Sequence, residues 1–232
     1  MLASELILAV SNDLQDQDSG DEYSRWTEDD LLGYLNDGER AIVFLKPQAY
    51  VDDTPFQLVA GVRQSWPSGA IEPIGRMRNM GPTGTTAGER VFLIEPKDMD
   101  ECYPGWRSAT ASATVVHFMF DQNDRRSFEV YPPQPTSSMG YVEAPYSKVP
   151  PTIVKDGTSY AVSVNLGDEY KEALIAYMKF RTWAVDAQDS QYAYARSADA
   201  WQLFLALIGR KDLVESKLPA KGRAYGNSDQ PI

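Results

Sequence analysis

His117 is the only histidine in the chain, and it lies in the segment TVVHFMFDQNDRRSFEVYPPQP, residues 114–135. A histidine that acts as a general base needs a nucleophile or an orienting carboxylate within hydrogen-bonding reach. The alternating apolar residues around His117 predict a strand, and the Asp and Asn residues that follow predict a turn. The segment therefore favours a β-hairpin over 114–131 with its turn near 122–124, and a structural or surface histidine.

The other groups that could support catalysis or bind a cofactor also lack a suitable context. Cys102 is the single cysteine, which excludes an internal disulfide and a cysteine-based zinc site. Gly81, Gly84 and Gly88 match neither a dinucleotide-binding nor a P-loop spacing, and no nucleophile elbow or zinc-protease motif is present. We therefore predict no catalytic residue, no metal site and no cofactor.

Charge is concentrated near the start of the chain. Residues 1–39 hold eleven acidic side chains against Arg25 alone, a net −10 of the total −11. Asp16 and Asp18 do not continue with calcium-loop spacing, because Gly20 falls at the fifth position of such a loop and not the sixth. A solvated acidic loop is expected, and so acidic a chain should not bind nucleic acid by counterion release.

Four arginines form two pairs, Arg76 and Arg78 in RMRNM and Arg125 and Arg126 in DRRSF. They could contact phosphate, but the abundance of acids favours ion-paired roles or positions at the rim of an interface. No stretch approaches the ~20 apolar residues of a membrane span, and the start lacks a basic leader. These features predict a soluble protein made in a reducing cytoplasm.

Helical periodicity marks both ends of the chain. Apolar spacing predicts a helix over 3–15, and a second over 28–46 that Thr27 and Asp30 begin and Pro47 ends. After Asn165 the period is helical again and predicts two helices packed as an antiparallel hairpin.

The middle of the chain has the period of strands. Turn residues separate seven short apolar segments: FQLVAGV, GAIEPIGRMRN, RVFLIEP, ATVVHFMFD, SFEVYPP, GYVEAPYS and SYAVSVN. The predicted fold class is α+β, an antiparallel helical bundle formed by the N- and C-terminal helices with a β-rich insertion between them. The predicted boundaries place the bundle at 1–54 and 165–218, the insertion at 55–164 and an extended tail at 219–232.

The order of these motifs resembles a known family. RWTEDDLLGYLNDGERAIVFLKP, FQLVAGVRQSWP, IEPIGRMRNMG, FEVYPP and EYKEALIAYMKFRTWAVDA before ALIG are similar to the adaptor, or head–tail connector, proteins of short-tailed phages. The resemblance covers residues 25–209. It implies a virion protein without catalytic residues, assembled in the host cytoplasm as a homo-oligomeric ring, typically a dodecamer. Such a ring lies between the portal protein and a downstream nozzle or tube protein, has no membrane partner, and lets duplex DNA pass without specific binding.

Two sets of residues are predicted to serve such a ring. Acids in and beside the second helix are candidates to face the DNA channel, where negative charge would repel phosphate: Glu28, Asp29, Asp30, Asp37 and Glu39. The alternative is that these acids only keep the free subunit soluble. In similar adaptors the C-terminal segment reaches toward the portal, which makes Leu218, Tyr225 and Ile232 portal-docking candidates.

Two other classes of function remain open from sequence. An aromatic-rich, strand-rich middle is also compatible with a carbohydrate- or receptor-binding tail module. A hydrolase that uses a pair of carboxylates is a further alternative, although the many acids single out no pair.

Overall fold

The computed structural model describes residues 1–16, 25–120, 124, 126–188 and 190–209. The chain divides into two compact units. The first unit, called here the helical unit, comprises 1–38 and the residues from 154 onward. The second, called the strand unit, comprises 39–153.

Five α-helices are formed in the described part of the chain. Their bounds are α1 Ala3–Leu14, α2 Glu28–Leu45, α3 Pro96–Cys102, α4 Lys171–Asp186 and α5 Gln191–Leu207. The helices predicted over 3–15 and 28–46 are confirmed to within a residue at each end. The two helices predicted after Asn165 are also present.

A reciprocal cap begins α2. The Asp30 amide donates to the Thr27 hydroxyl oxygen at 3.1 Å, while the Asp30 carboxylate accepts from the Thr27 amide at 3.1 Å and the Thr27 hydroxyl at 2.6 Å. Such a capping box satisfies donors that have no partner within the helix. The cap predicted from Thr27 and Asp30 is therefore confirmed.

The helical unit is held by close packing along α4. This helix packs against α1 and α5, and the rings of Tyr177 and Phe204 meet edge to face with centroids 5.2 Å apart. Gly38 lets α2 approach closely, since a Cβ at this position would lie 3.1 Å from the Tyr177 ring and 3.2 Å from Leu174. We propose that these helices form the predicted bundle.

The buried face of α5 differs from the predicted one. The apolar spacing predicts a seam through Tyr194, Ala198, Trp201, Leu205 and Ile208. Leu205 and Ile208 are buried as predicted, whereas Tyr194 and Ala198 are exposed and the helix buries Ala193, Ser197, Ala200 and Phe204 instead. The seam is rotated because small residues let α5 lie close to α4, which leaves Tyr194 exposed.

Eleven short strands are described, all in the strand unit. Their bounds are β1 Val51–Asp52, β2 Phe56–Gln57, β3 Gly61–Ser65, β4 Ala70–Pro73, β5 Arg78–Met80, β6 Ala87–Arg90, β7 Phe92–Leu93, β8 His117–Met119, β9 Ser127–Gln134, β10 Tyr141–Glu143 and β11 Tyr146–Lys148. They form three sheets with orders β1-β11-β4, β2-β10-β5-β6 and β3-β9-β8-β7. Pairing is antiparallel except between β7 and β8.

The strand pairing of the predicted hairpin is confirmed, its predicted turn near 122–124 lies largely outside the described residues, and one predicted strand is wrong. β8 and β9 pair antiparallel, with His117 opposite Tyr131. Residues 159–165 form only isolated bridges. Their carbonyls have a different role, because the amides of Ala3 and Ser4 donate to Val162 and Tyr160 at 2.9 Å. The segment thus accepts hydrogen bonds from the first free amides of α1 and does not pair as a strand of a sheet.

Buried side chains and buried amides hold the strand unit together. Phe128, Val130 and Met77 are in its larger apolar cluster, against which Trp66 packs. Asn79 of β5 bonds the segment that precedes β8: its side chain accepts from the Val115 amide at 2.8 Å and donates to the Val115 carbonyl at 2.7 Å. The side-chain amide thus makes the two hydrogen bonds that a paired backbone segment would make, and it fixes the position of β5 relative to the segment before β8.

Candidate assembly surfaces

His117 has a structural environment. Its ring lies between the rings of Tyr131 and Phe92, with centroids at 6.2 and 6.4 Å. Its buried Nδ1 atom has no hydrogen-bond partner within the described part of the chain. A general base held in place by a carboxylate is therefore not what this geometry provides.

A cavity with polar lining lies beside β3 and β9 of the strand unit. It has a volume of about 280 Å³ and is lined by Arg63, Asp124 and Ser127 among others. The Ser127 hydroxyl donates to the Asp124 carboxylate at 2.5 Å, and Arg63 pairs with the same oxygen at 3.0 Å. The Ser127 hydrogen bond, then the Arg126 amide, lowers the pKa of Asp124. A carboxylate so stabilised is a weak base, and the arrangement closes a turn.

The described residues hold neither a cluster of metal ligands nor a membrane-spanning helix. No group of three or more His, Cys, Asp or Glu side chains is placed to hold a metal ion there. Among the helices that the structure describes, none combines the length and apolar character needed to cross a membrane.

Three of the five acids proposed to face a channel have structural roles in the subunit. Asp30 caps α2, and Asp37 pairs with Arg181 at 2.8 Å. Asp29 pairs with Lys155 at 2.8 Å and accepts from the Tyr160 hydroxyl at 2.7 Å. The Lys155 hydrogen bond is the main reason that the pKa of Asp29 is lowered.

Glu39 differs most from its predicted position. It is only 1% exposed, so its carboxylate does not contribute to the surface of this subunit. Helical spacing explains the difference, because Glu39 follows Leu35 by four residues and lies on the buried side of α2. The fifth acid, Glu28, is partly exposed in the first turn. Whether the other four acids face a channel stays a prediction.

The four arginines were predicted to have ion-paired roles or positions at the rim of an interface. Arg125 lies outside the described residues, and Arg76, Arg78 and Arg126 form no ion pair within the described part of the chain. A position at the rim of an interface stays a prediction for these three. They are exposed, which leaves their charge available to a partner.

An exposed edge of the strand unit combines cationic and apolar side chains. Arg78 in β5 lies directly opposite Arg90 in β6, and Glu143 of β10 lies opposite Arg78 on the other side. The Arg90 guanidinium is 5.2 Å from the centre of the Phe92 ring. Phe92 and Leu93 are 51% and 59% exposed on β7, the last strand of its sheet. Arg78, Arg90, Phe92 and Leu93 are called here the arginine edge.

A groove of the helical unit has the opposite charge. It has a volume of about 240 Å³ between the outer sides of α4 and α5. Ile175, Trp183 and Leu203 supply apolar surface, and Glu172 and Asp199 supply carboxylates. These five residues are called here the helical groove.

The charges around the helical groove are unequally compensated. Lys179 pairs with Asp13 at 2.9 Å, and Arg196 donates to the Tyr192 hydroxyl at 2.9 Å. Within the described residues, Glu172 and Asp199 have no cationic partner. Lys179, Arg196 and Asp13 also line the groove, and Arg196 keeps its charge because the Tyr192 hydroxyl is neutral. Three carboxylates against two cations leave the groove with a net negative charge beside apolar surface.

The portal-docking candidates Leu218, Tyr225 and Ile232 lie outside the described residues, and their role stays a prediction. The arginine edge and the helical groove were not predicted. The sequence shows Arg78 and Arg90 only as two separate cations. That they lie opposite each other depends on the register of β5 and β6, which the sequence does not reveal. The groove depends on the rotation of α5, which the sequence pattern misassigned.

The family of the chain is identified by a family model and not by an individual relative. A comparison with curated proteins finds no match. The family model described as SU10 adaptor protein matches residues 1–225, nearly the whole chain. This extends the resemblance drawn from residues 25–209 and confirms it. The chain belongs to the SU10 adaptor protein family, and so is a bacteriophage adaptor, a virion component of the head–tail region.

Proposed function

We propose that copies of this chain assemble into a ring between the portal and the tail, and that the ring extends the channel through which DNA leaves the capsid. The observation that carries the proposal is the family match over residues 1–225. A non-enzymatic role agrees with an adaptor family.

The surfaces of both units support a role in assembly. A subunit in a closed ring needs two different faces that meet head to tail. Exposed large apolar side chains occur in each unit: Phe92, Leu93 and Tyr103 in the strand unit, and Tyr192, Leu203 and Leu207 in the helical unit. Aromatic and aliphatic side chains of this kind anchor protein interfaces.

The acidic character of the chain suits a channel that must conduct DNA without holding it. The net charge is −11, and α2 begins with three consecutive acids. Carboxylates that face the lumen would repel phosphate and remove the electrostatic term that dominates DNA affinity. Glu28, Asp29, Asp30 and Asp37 remain the proposed channel residues, and Glu39 is left out because it is buried.

Electron microscopy of the full chain mixed with the portal of its own virion tests the proposal. The expected result is a ring of this protein stacked coaxially on the portal ring. Monomers that make no contact with the portal, under conditions where the portal itself is assembled, would contradict it.

The C-terminal segment gives a second test. Removal of residues 219–232 is expected to weaken portal binding at least tenfold, because Tyr225 and Ile232 would be lost with it. The control is a chain in which Tyr194, an exposed tyrosine of α5, is replaced by Ala. Undiminished portal binding by the shortened chain would remove the segment from the mechanism.

A further inference from the structure

We propose that the arginine edge of one copy docks into the helical groove of the next copy. This inference rests on the proposed ring, and it names the two surfaces that would meet. The occupant of the groove is thus a second copy of this chain, recognised by two arginines beside two exposed apolar side chains.

The arginine edge is arranged unfavourably for an isolated subunit. Like charges directly opposite each other on neighbouring strands destabilise a sheet, and Arg78 and Arg90 are such a pair. Glu143 adjoins Arg78 in the sheet but does not reach ion-pairing distance within the described residues. An acidic partner would turn this repulsion into attraction.

The apolar half of the same edge is equally exposed. Phe92 and Leu93 are on a terminal strand of a sheet, where an uncovered apolar edge favours association with another chain. Arg90 stacks beside Phe92, so the cation and the ring form one continuous surface. A partner must therefore offer carboxylates next to apolar surface.

The helical groove offers that combination. Glu172 and Asp199 flank Ile175, Trp183 and Leu203. Of the two cations in the same lining, Lys179 pairs with Asp13 and Arg196 bonds the neutral Tyr192 hydroxyl, so the acids of the groove outnumber its cations by one. Arginine is well suited to such a site because its guanidinium binds carboxylates in a bidentate manner and stacks on Trp.

The pairing is heterologous, as ring closure requires. Two copies of the groove would repel each other through Glu172 and Asp199, and two copies of the edge would repel through Arg78 and Arg90. Only the edge of one copy against the groove of another matches both charge and apolar surface. Such a contact leaves one edge and one groove free on every dimer, which allows further copies to add.

Disulfide trapping tests the contact directly. Cys102, the exposed native thiol, is first replaced by Ser. Leu93→Cys and Leu203→Cys are then made on separate full-length chains, mixed and oxidised. The expected result is a mixed dimer that forms at least tenfold faster than either homodimer. Equal rates for the mixed dimer and the homodimers would overturn the proposal.

Matched controls use cysteines of similar exposure. In the control for the edge, the cysteine is placed by Val59→Cys and not by Leu93→Cys, since Val59 is 56% exposed in the same unit. In the control for the groove, the cysteine is placed by Tyr194→Cys and not by Leu203→Cys. Tyr194 is 64% exposed and lies nine residues from Leu203, on the opposite side of α5. Cross-linking of the control pair as fast as the test pair would show chance encounter only and would overturn the contact.

Charge reversal separates the contact from a folding defect. Arg78→Glu with Arg90→Glu on the Leu93→Cys chain should slow mixed cross-linking at least tenfold, and Glu172→Lys with Asp199→Lys on the other chain should do the same. When both reversed chains are mixed, the rate should recover to within about threefold of the original. Failure to recover, with both chains folded by circular dichroism, would overturn the proposal.

The outcome is distinguishable from that of the ring proposal. Coaxial rings on the portal without specific cross-linking would disprove this contact and leave the ring intact. Specific cross-linking without any portal-bound ring would support the contact and contradict the adaptor ring.

Discussion

Asn79 uses its side-chain amide as if it were a segment of backbone. It exchanges two hydrogen bonds with Val115 and donates a third to the Glu89 carbonyl at 3.2 Å, all at a buried position. The side chain therefore connects three segments: β5, β6 and the residues that precede β8. Removal of a buried partner leaves the backbone groups that it satisfied without water or protein to bond.

We expect Asn79→Ala to lower the free energy of unfolding by roughly 2–3 kcal/mol, because the Val115 amide and carbonyl would be left unsatisfied. The measurement is urea unfolding followed by circular dichroism. The control is Gln57→Ala, an exposed amide in the same sheet, for which we expect a change within about 0.5 kcal/mol. Equal effects of the two substitutions would contradict this role for Asn79.

Asp52 predicts a dependence of stability on pH. Its carboxylate accepts from the Lys148 ammonium at 2.9 Å and from the Thr54 amide at 3.0 Å. The Lys148 hydrogen bond, followed by those of Thr54, lowers the pKa of Asp52 well below its usual range. Stabilisation from a lowered pKa is complete above the unfolded value of about 4 and is lost as the pH falls through the folded value.

We therefore expect Asp52→Asn to cost about 1 kcal/mol of unfolding free energy at pH 7, a modest value because the pair is partly exposed. The difference from the unmodified chain should shrink as the pH falls below about 4. Urea unfolding from pH 2 to pH 7 measures it. Asp53→Asn, the exposed neighbour, is the control; a difference that grows toward low pH would have the wrong sign.

Within α2, two glycines with different surroundings separate helix propensity from packing. A Cβ at Gly33 would meet nothing within 4 Å, whereas one at Gly38 would meet Tyr177 and Leu174 at 3.1 and 3.2 Å. Leucine favours helix over glycine by roughly 0.5–1 kcal/mol, so Gly33→Leu should be neutral or stabilising.

Gly38→Leu should instead lower the free energy of unfolding by roughly 1–3 kcal/mol, because the larger side chain must displace the packing between α2 and α4. Thermal unfolding of the two leucine variants compares them in the same helix. If Gly38→Leu were as stable as Gly33→Leu, the close approach of the two helices would be disproved.

Residues close together in sequence predicted the helices and most strands. Features that depend on pairing between distant segments could not be predicted from the sequence. The start of α2 was predictable because Thr27 and Asp30 cap it from within four residues. Residues 159–165 alternate like a strand, but their carbonyls bond the start of α1 more than 150 residues away in the chain. The arginine edge depends on strand register in the same way, so only the two cations, and not their juxtaposition, were visible in the sequence.

At the scale of the whole molecule, each compact unit has its own buried side chains. Phe128 and Val130 lie in the strand unit, and Leu174 and Phe204 lie in the helical unit. The helical unit is built from both ends of the chain, while the strand unit is one continuous segment whose ends meet where Arg40 donates to the Thr152 hydroxyl at 2.7 Å.

Hydrogen exchange of the two destabilised variants tests whether the units open separately. Asn79→Ala should speed amide exchange at least tenfold in β5, β8 and β9 and leave α4 and α5 unchanged, since regions open as cooperative groups. Gly38→Leu should do the reverse, and should affect α1 together with α4 if both ends of the chain form one bundle. Faster exchange throughout the chain in both variants would mean that the two units unfold as one, and α1 unaffected by Gly38→Leu would contradict the bundle.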